Sequence, residues 1–340
     1  MRVLAWPARA NRNLNPYNAL LYAALEQTGV RVLEWTGNFC DLEHVDVLHL
    51  HWPESPLNLP DPSGINLVLE ASRLARAQNV RVVWTAHNLR AHAGIHPNLE
   101  REFWDGFCSL LDGVIALSES SRLALLEAHP TLERVPITVI PHGYYRGVYP
   151  NTISREEARV KLNLPLEIPV LAFVGQLRAY KGIPELLAAF SKLEGDVRLL
   201  IAGKPVPPED APHLETLAAR DPRVRLELGF VPDDRLQVFL NAADLIVLPY
   251  RQILNSGSAL LALSFNRPLL APAIGSLPEL AQTIGGGWVQ LFKGDLEAGG
   301  LRDAFEMGRI VRDQVAPLED FDWDRIAEKT NRFYLELTNR

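Results

Sequence analysis

The chain has 340 residues, too many for one ordinary core and suited to two domains. A net charge of −7, 47% hydrophobic and 22% charged residues, and no cluster of Lys and Arg describe a globular, enzyme-sized protein and argue against a nucleic-acid partner. Two cysteines, Cys40 and Cys108, make no disulfide framework, which points to a reducing cytoplasm; no apolar run approaches the roughly 18 residues that span a bilayer, and the first residues contain no signal-peptide core.

In chain order, "RVLAW", "VRVLEW", "VDVLHLH", "VRVVWTAHN", "GVIALS" and "ITVIPHG" read as strands. Between them "PYNALLYAALEQTG", "NLVLEASRLARAQN" and "SESSRLALLEAH" read as helices, the first with Asn15 as its cap, Pro16 in its first turn and Gly29 at its end. Apolar strands alternating with helices predict a parallel sheet covered on both faces. The stretch "PHGYYRGVYPNTISREEARVKLNLPLEIP" is turn-rich and reads as a linker with one short helix. The alternation then restarts with "PVLAFVGQ", "VRLLIAGKPV", "VRLELGFV", "DLIVLPY", "PLLAPAIG" and "GGWVQL", and closes on the amphipathic "FDWDRIAEKTNRFYLELT". The fold class is therefore α/β: two doubly wound, Rossmann-like domains in tandem, 1–150 and 151–320, facing a cleft, followed by a helix over 321–340. Ligands of such sheets bind beyond the carboxyl ends of the strands, so residues just after strands carry the interest.

In the segment 173–190, "FVGQLRAYKGIPELLAAF", Gly175 allows a tight turn and two cations, Arg178 and Lys181, precede a helix. That pattern suits a diphosphate, although an exposed loop with solvated charges would look the same. All six lysines of the chain lie beyond residue 160, the first being Lys161. In "LNSGSALLAL", Ser256 or Asn255 can cap the next helix, while Gly257 and Ser258 leave backbone N–H groups open to an anion; capping alone is the plainer alternative.

In the first half, "VLHLHWPE" ends a strand with His49, His51, Trp52 and Glu54, and the two histidines share one face. "VVWTAHNLR" places His87 and Asn88 at another strand end, and "VIPHGYY" places His142 at the domain junction. Each histidine could be a satisfied structural residue. Three at strand ends of one sheet instead suggest a polar cleft with Glu54 or His87 as general base. Their spacing is weak evidence for a metal. The first strand-to-helix loop, "NLNPYN", has no glycine, the first in the chain being Gly29, so the dinucleotide fingerprint is absent there.

As a set, "VGQLRAYKGIPELLAAF", "LLIAGKPV", "LELGFVPDDRLQVFLNAADLIVLPY", "NRPLLAPAIGSLPEL", "FDWDRIAEKTNRFY", "DVLHLHWP", "VVWTAHN" and "VIPHG" resemble GT-B glycosyltransferases of the family 4 type over nearly the whole chain. The resemblance implies a nucleotide-sugar donor bound mainly by the C-terminal domain, an acceptor bound mainly by the N-terminal one, and a last helix that crosses back to the first domain. It implies no cofactor and no metal. It gives Lys181 the phosphate-binding role. The family's arginine falls at Gln176, so that role passes to Arg178, two residues on. Glu279 matches an acidic residue of the family. One departure is clear: the family's two glutamates, eight positions apart, fall at Ile253 and Leu261 when the chains are aligned on Pro268.

The variant with "HWPE" and "SGS" is similar to bacterial exopolysaccharide mannosyltransferases. That likeness implies GDP-mannose as donor, a glycan or lipid-linked oligosaccharide as acceptor, and contact with the inner membrane surface. The apolar Leu261 in place of the family's acid, with Glu54 and His87 available as base, favours an inverting reaction, the rival being retention with Asn255 or Glu279. The residues leave two other readings open: a nucleotide-sugar epimerase of the same architecture, and a non-catalytic nucleotide-sugar-binding partner protein.

Overall fold

The computed structural model describes residues 1–91, 94–311 and 314–339. They form two compact units: Met1–Gly143 with Glu319–Arg340, and Tyr144–Leu318.

The first unit contains β1 (Arg2–Trp6), α1 (Tyr17–Gln27), β2 (Arg31–Glu34), β3 (Val47–His51), α2 (Gly64–Ala77), β4 (Arg81–Ala86), α3 (Pro97–Cys108), β5 (Gly113–Ala116), α4 (Glu119–Ala128) and β6 (Ile137–Val139). Its six strands are all parallel, in the order β2-β1-β3-β4-β5-β6. Strand period sorts β3 between two cores. Leu48 and Leu50 pack with Trp84, Phe103 and Phe107 on one side. Val47 lies on the other with Tyr17, Leu21 and Tyr22 of α1 and with Tyr334. His49 and His51 share that second face by the same alternation, and both are fully buried. Helix α1 starts one residue later than the sequence suggests. Pro16 occupies the cap position, and Asn15 Oδ1 accepts the Tyr17 N–H at 3.1 Å. The missed helix is α3, where Phe103, Trp104 and Phe107 form one buried stripe on a strongly charged segment.

The second unit contains α5 (Arg155–Lys161), β7 (Val170–Val174), α6 (Ile183–Ser191), β8 (Arg198–Gly203), α7 (Ala211–Ala218), β9 (Val224–Leu228), α8 (Asp233–Ala242), β10 (Leu245–Val247), α9 (Gly257–Ser264), β11 (Leu269–Pro272), α10 (Leu277–Ile284), β12 (Val289–Phe292) and α11 (Ala298–Gly308). Its parallel order is β12-β11-β10-β7-β8-β9. Residues after Gly143 join this unit because they are bonded to it: Tyr145 N–H donates to Ser264 Oγ at 2.9 Å, and Arg146 to the Ala316 carbonyl at 2.5 Å. Short α5 is closed by a capping box between Ser154 and Glu157. Its fully buried Arg159 pairs with Asp244 at 2.6 Å and gathers the carbonyls of Leu166, Ile168 and Ala242.

The last helix, α12 (Trp323–Thr338), belongs to the first unit and packs along α1. Ile326, Ala327, Thr330, Phe333, Tyr334 and Leu337 form its buried stripe. Among the described residues no helix is long and apolar enough to cross a membrane. Cys40 is exposed and Cys108 buried, and both are free thiols.

Candidate functional site

In the second unit the strand order turns back at β7: β8 and β9 extend to one side of it and β10 lies on the other. Ligands bind at such switch points, above the strand ends. The loops leaving β7 and β10 meet there. Arg251 N–H donates to the Tyr180 carbonyl at 2.8 Å. Gly182, at φ 68°, lies so near the Pro249 carbonyl that any Cβ would overlap it. A Cβ built on Gly175 would stand 3.6 Å from Lys181 Nζ and 3.8 Å from Ser258 Oγ, so these three residues border one small space.

Lys181 is only 9% exposed. Its ammonium lies 5.7 Å and 5.5 Å from the ring centres of Phe173 and Tyr250, and among the described residues no carboxylate pairs with it. Burial pulls its pKa below the usual lysine value, Tyr180 opposes that, and Arg178 adds to it. Arg178 is half-buried and donates from Nε to Gln176 Oε1 at 3.1 Å, so the displaced arginine is tied to the residue at the position the family gives to arginine. Ser256 caps α9 by accepting the Ala259 N–H at 3.2 Å. Gly257 and Ser258 are the first residues of that helix, and Asn255 precedes the cap. Burial raises the Tyr250 hydroxyl pKa, while hydrogen bonds with Ser258 and Ser256 pull it down.

The segment before α9 is held by the next loop, since Ser276 N–H donates to the Leu254 carbonyl at 3.0 Å. Glu279 lies half-buried in the first turn of α10. Ile253 and Leu261 are half-buried. Beside Tyr250 opens a cleft of about 430 Å³, lined also by Arg251, Ile274, Phe292 and Lys293.

In the first unit the strand order turns back at β1, which lies between β2 and β3. The residues after β3 and β4 gather at that end. Glu54 is 2% exposed; its Oε1 accepts from Asn88 Nδ2 at 2.8 Å, and its buried Oε2 has no hydrogen-bond partner among the described residues. Burial lifts its pKa to about 7, against the pull of the Asn88 bond. Trp52 adopts φ 50°, a rare conformation for a bulky residue, and its indole stacks on His87 with centroids 4.1 Å apart.

His87 is half-buried, and its Nε2 lies 3.0 Å from His51 Nδ1. His51 Nε2 lies 2.6 Å from the Tyr22 hydroxyl. That hydroxyl also lies 2.9 Å from His49 Nδ1, which the Tyr334 hydroxyl approaches to 2.6 Å; His49 Nε2 reaches Thr85 Oγ1 at 2.8 Å. Burial holds the three imidazoles neutral, with His49 down to about 3 and His51 and His87 well below the ordinary histidine range. His142 is lowered to about 4 by burial, and its Nδ1 lies 2.7 Å from the Gly143 carbonyl. Tyr17 presents its ring to His51, His87, His142 and Trp323 at centroid distances of 4.7–5.9 Å.

The structure thus gathers His51, Glu54, His87, Asn88 and His142 in one unit and Gly175, Lys181, Ser256 and Ser258 in the other. Sequence reasoning missed Tyr17, Tyr22 and the hydroxyl of Tyr334, which read as apolar helix positions. The available signal was two histidines on a core-facing strand face, which demand buried partners. It also passed over "DFDWD", whose acids serve the start of α12: Asp322 caps it by accepting the Asp324 N–H at 2.9 Å, and Asp320 pairs with Arg325 at 3.1 Å. Among the described residues, no three His, Cys, Asp or Glu side chains are grouped to hold a metal ion.

Residues 168–298 match the family described as glycosyl transferases group 1. The chain is 34% identical over 345 aligned positions to a GDP-mannose:glycolipid 4-beta-D-mannosyltransferase of Xanthomonas campestris pv. campestris, covering 99% of this chain and 93% of that one. Its fold is similar to sucrose-phosphate synthase from Thermosynechococcus elongatus, with TM-score 0.74, 18% identity and 99% of both chains covered. It is also similar to Anabaena HepE in complex with UDP and glucose, with TM-score 0.73, 15% identity and 98% of both chains covered.

Proposed function

The chain belongs to the group 1 glycosyl transferases and is a glycosyltransferase of GT-B fold, and from that premise we propose that it moves mannose from GDP-mannose to a lipid-linked oligosaccharide in polysaccharide assembly, with inversion and without a metal. The second unit is the donor side. The observation that carries this is Lys181: an ammonium nine-tenths buried, without a carboxylate partner among the described residues, bordering the space between Gly175 and Ser258. A protein keeps a buried, uncompensated cation at a cost in stability, and an anionic ligand is what offsets it. Arg178 and the N-terminus of α9 add further positive potential for the leaving diphosphate. Glu279 and Asn255 supply polar contacts to the donor.

The first unit is the acceptor side. Glu54 takes the proton of the acceptor hydroxyl as that oxygen attacks the anomeric carbon, while the sugar–phosphate bond breaks and GDP leaves with its electron pair. A carboxylate with one open oxygen and a pKa near the working pH suits that task. The lipid part of the acceptor brings the protein to the inner face of the cytoplasmic membrane as a peripheral visitor.

The test is direct. Protein incubated with GDP-mannose and lipid-linked oligosaccharides should release GDP and elongate the lipid. In thermal shift, GDP at 100 times its dissociation constant should stabilise by about 2.7 kcal/mol, more than UDP, ADP or dTDP at equal concentration. A preference for another nucleotide would overturn the donor assignment. GDP release unchanged by any lipid-linked acceptor would overturn the acceptor.

A further inference from the structure

Strand β9, "VRLEL", is an edge of the second unit's sheet and pairs on one side only, with β8. The ladder fixes its inner side. The Arg223 carbonyl accepts the Leu199 N–H at 3.1 Å, and Gly229 N–H donates to the Gly203 carbonyl at 3.0 Å. Backbone direction alternates along a strand, so Arg225 and Glu227 also face β8, while Val224, Leu226 and Leu228 turn their N–H and C=O groups outward. Val224 N–H is taken by the Asp221 carbonyl at 3.0 Å; among the described residues the other outward groups have no partner. Side chains sort by the same alternation. Val224, Leu226 and Leu228 line a groove of about 430 Å³ beside Ala218 and Ala219 at the end of α7. On the other face Arg225 and Glu227 pair at 2.5 Å and stay 38% and 29% exposed.

This order of residues is self-complementary. Lay a second copy of the strand antiparallel along the first, with Leu226 opposite Leu226 on a two-fold axis. Arg225 then stands opposite the second copy's Glu227, and Glu227 opposite its Arg225. On the groove face Val224 meets Leu228. The backbone fits the same register, because the facing residues 224, 226 and 228 are those whose groups point outward: the two Leu226 residues exchange N–H···O bonds, and each Leu228 N–H reaches a Val224 carbonyl. The nearest registers that keep outward groups facing slide one strand by two residues. They set Arg225 against Arg225 or Glu227 against Glu227, and like charges directly opposed are destabilising. The other edges lack this symmetry. Strands β6 and β12 carry no charged side chain, and Glu34 of β2 is held by the N–H groups of Ala8, Arg9 and Ala10.

We propose that β9 is a homodimer interface, through which two copies of the chain join their second units edge to edge in this register into one continuous sheet. The pairing satisfies an open row of backbone groups that is otherwise a template for mispairing, and it uses the same patch on both copies, as a two-fold contact must.

Sedimentation velocity on the full chain should show a dimer that accumulates with concentration. Arg225→Glu sets carboxylates against each other across the axis, and Glu227→Arg sets guanidiniums against each other. Each should raise the dimer dissociation constant roughly tenfold or more. Mixed together, the two variants should form a heterodimer of wild-type strength, because opposite charges face each other again. Among the described residues Glu227 bonds only Arg225, so Glu227→Arg should keep its fold and decides the matter even if Arg225→Glu, which loses a bond to the Leu162 carbonyl, does not. A wild type that stays monomeric at every soluble concentration would overturn the proposal. So would a dimer that folded Glu227→Arg leaves unweakened, or two folded single variants that do not rescue each other on mixing.

Discussion

Burial moves the protonation equilibria of Lys181 and Glu54 away from their ordinary ranges, and each makes a prediction with a sign. Lys181→Met should cut transfer by roughly 10²–10³, the scale of losing one charge contact to a developing anion. Its folded pKa is lowered, so the unfolded chain binds the proton more readily. The charged residue therefore opposes folding at neutral pH, and that cost fades as pH rises toward the unfolded value. The variant should melt no lower than wild type at pH 7 while losing activity; a lower melting temperature with full activity would make Lys181 structural. Glu54 runs the other way. Its folded pKa is raised from 4.5 to about 7, so its contribution favours folding below 4.5 and is lost as pH climbs through 7, a swing of about 3 kcal/mol. The kcat/KM profile should rise through pH 7 on that ionisation. Glu54→Gln should remove most activity and flatten both the rate profile and the acid-side stability gain. A rising limb that survives in Glu54→Gln would move the base elsewhere. The motif residues were legible because they stand just after apolar strands. Their partners were not: a tyrosine on a helix, such as Tyr22 or Tyr334, reads as apolar whether or not its hydroxyl is in use.

Among the elements, the parallel strands were the clearest, since Val, Ile and Leu in runs bounded by Gly and Pro leave few alternatives. Helix α3 was obscured because its charged residues dilute a stripe that only tertiary packing makes useful. The amphipathic pattern of the last helix was plain. What it could not reveal is how its first residue packs within the first unit. The Trp323 indole fills the space over Gly143, so that a Cβ there would overlap the ring, and it packs edge-on against Tyr17 at 5.4 Å. Gly143→Ala should therefore push α12 or the indole aside, costing about 1–3 kcal/mol as overpacking does. It should also lower turnover by disturbing Tyr17, which touches His87 and His142. The double variant Gly143→Ala/Trp323→Phe should regain part of the stability. A Gly143→Ala protein with wild-type melting and rate would show that this contact is slack. Helix α9 carries the companion prediction for the donor side: Gly257→Val, at its first residue, should weaken GDP binding while leaving the fold intact, because a β-branched side chain crowds the approach to the open N–H groups. Unchanged GDP affinity would reduce "NSGS" to a cap.

For the whole molecule, the question that joins both units is the stereochemistry of transfer. The resemblance implies two glutamates around the helix, the one at the place of Leu261 holding the donor sugar in retaining members, and this chain has Ile253 and Leu261 at the matching positions, neither able to bond a hydroxyl. The sugar cannot be held in the same way. Inversion asks for less from the donor side: an anion site for the leaving group and, opposite it, one base. On the proposed reading the second unit supplies the first through Lys181, Arg178 and α9, and the first unit supplies the second through Glu54. Retention would need Asn255 or Glu279 to replace the lost acids. Asn255 has no charge to offer a developing cation. Glu279 lies in the first turn of α10, where the helix N-terminus already draws on its charge. The product made from GDP-mannose should therefore be β-linked, read from the one-bond ¹³C–¹H coupling of the new anomeric centre by NMR. Glu279→Gln should lower the rate without changing that configuration, whereas Glu54→Gln should stop transfer. An α-linkage would overturn the inverting mechanism and, with it, the role assigned to Glu54, however the variants behave.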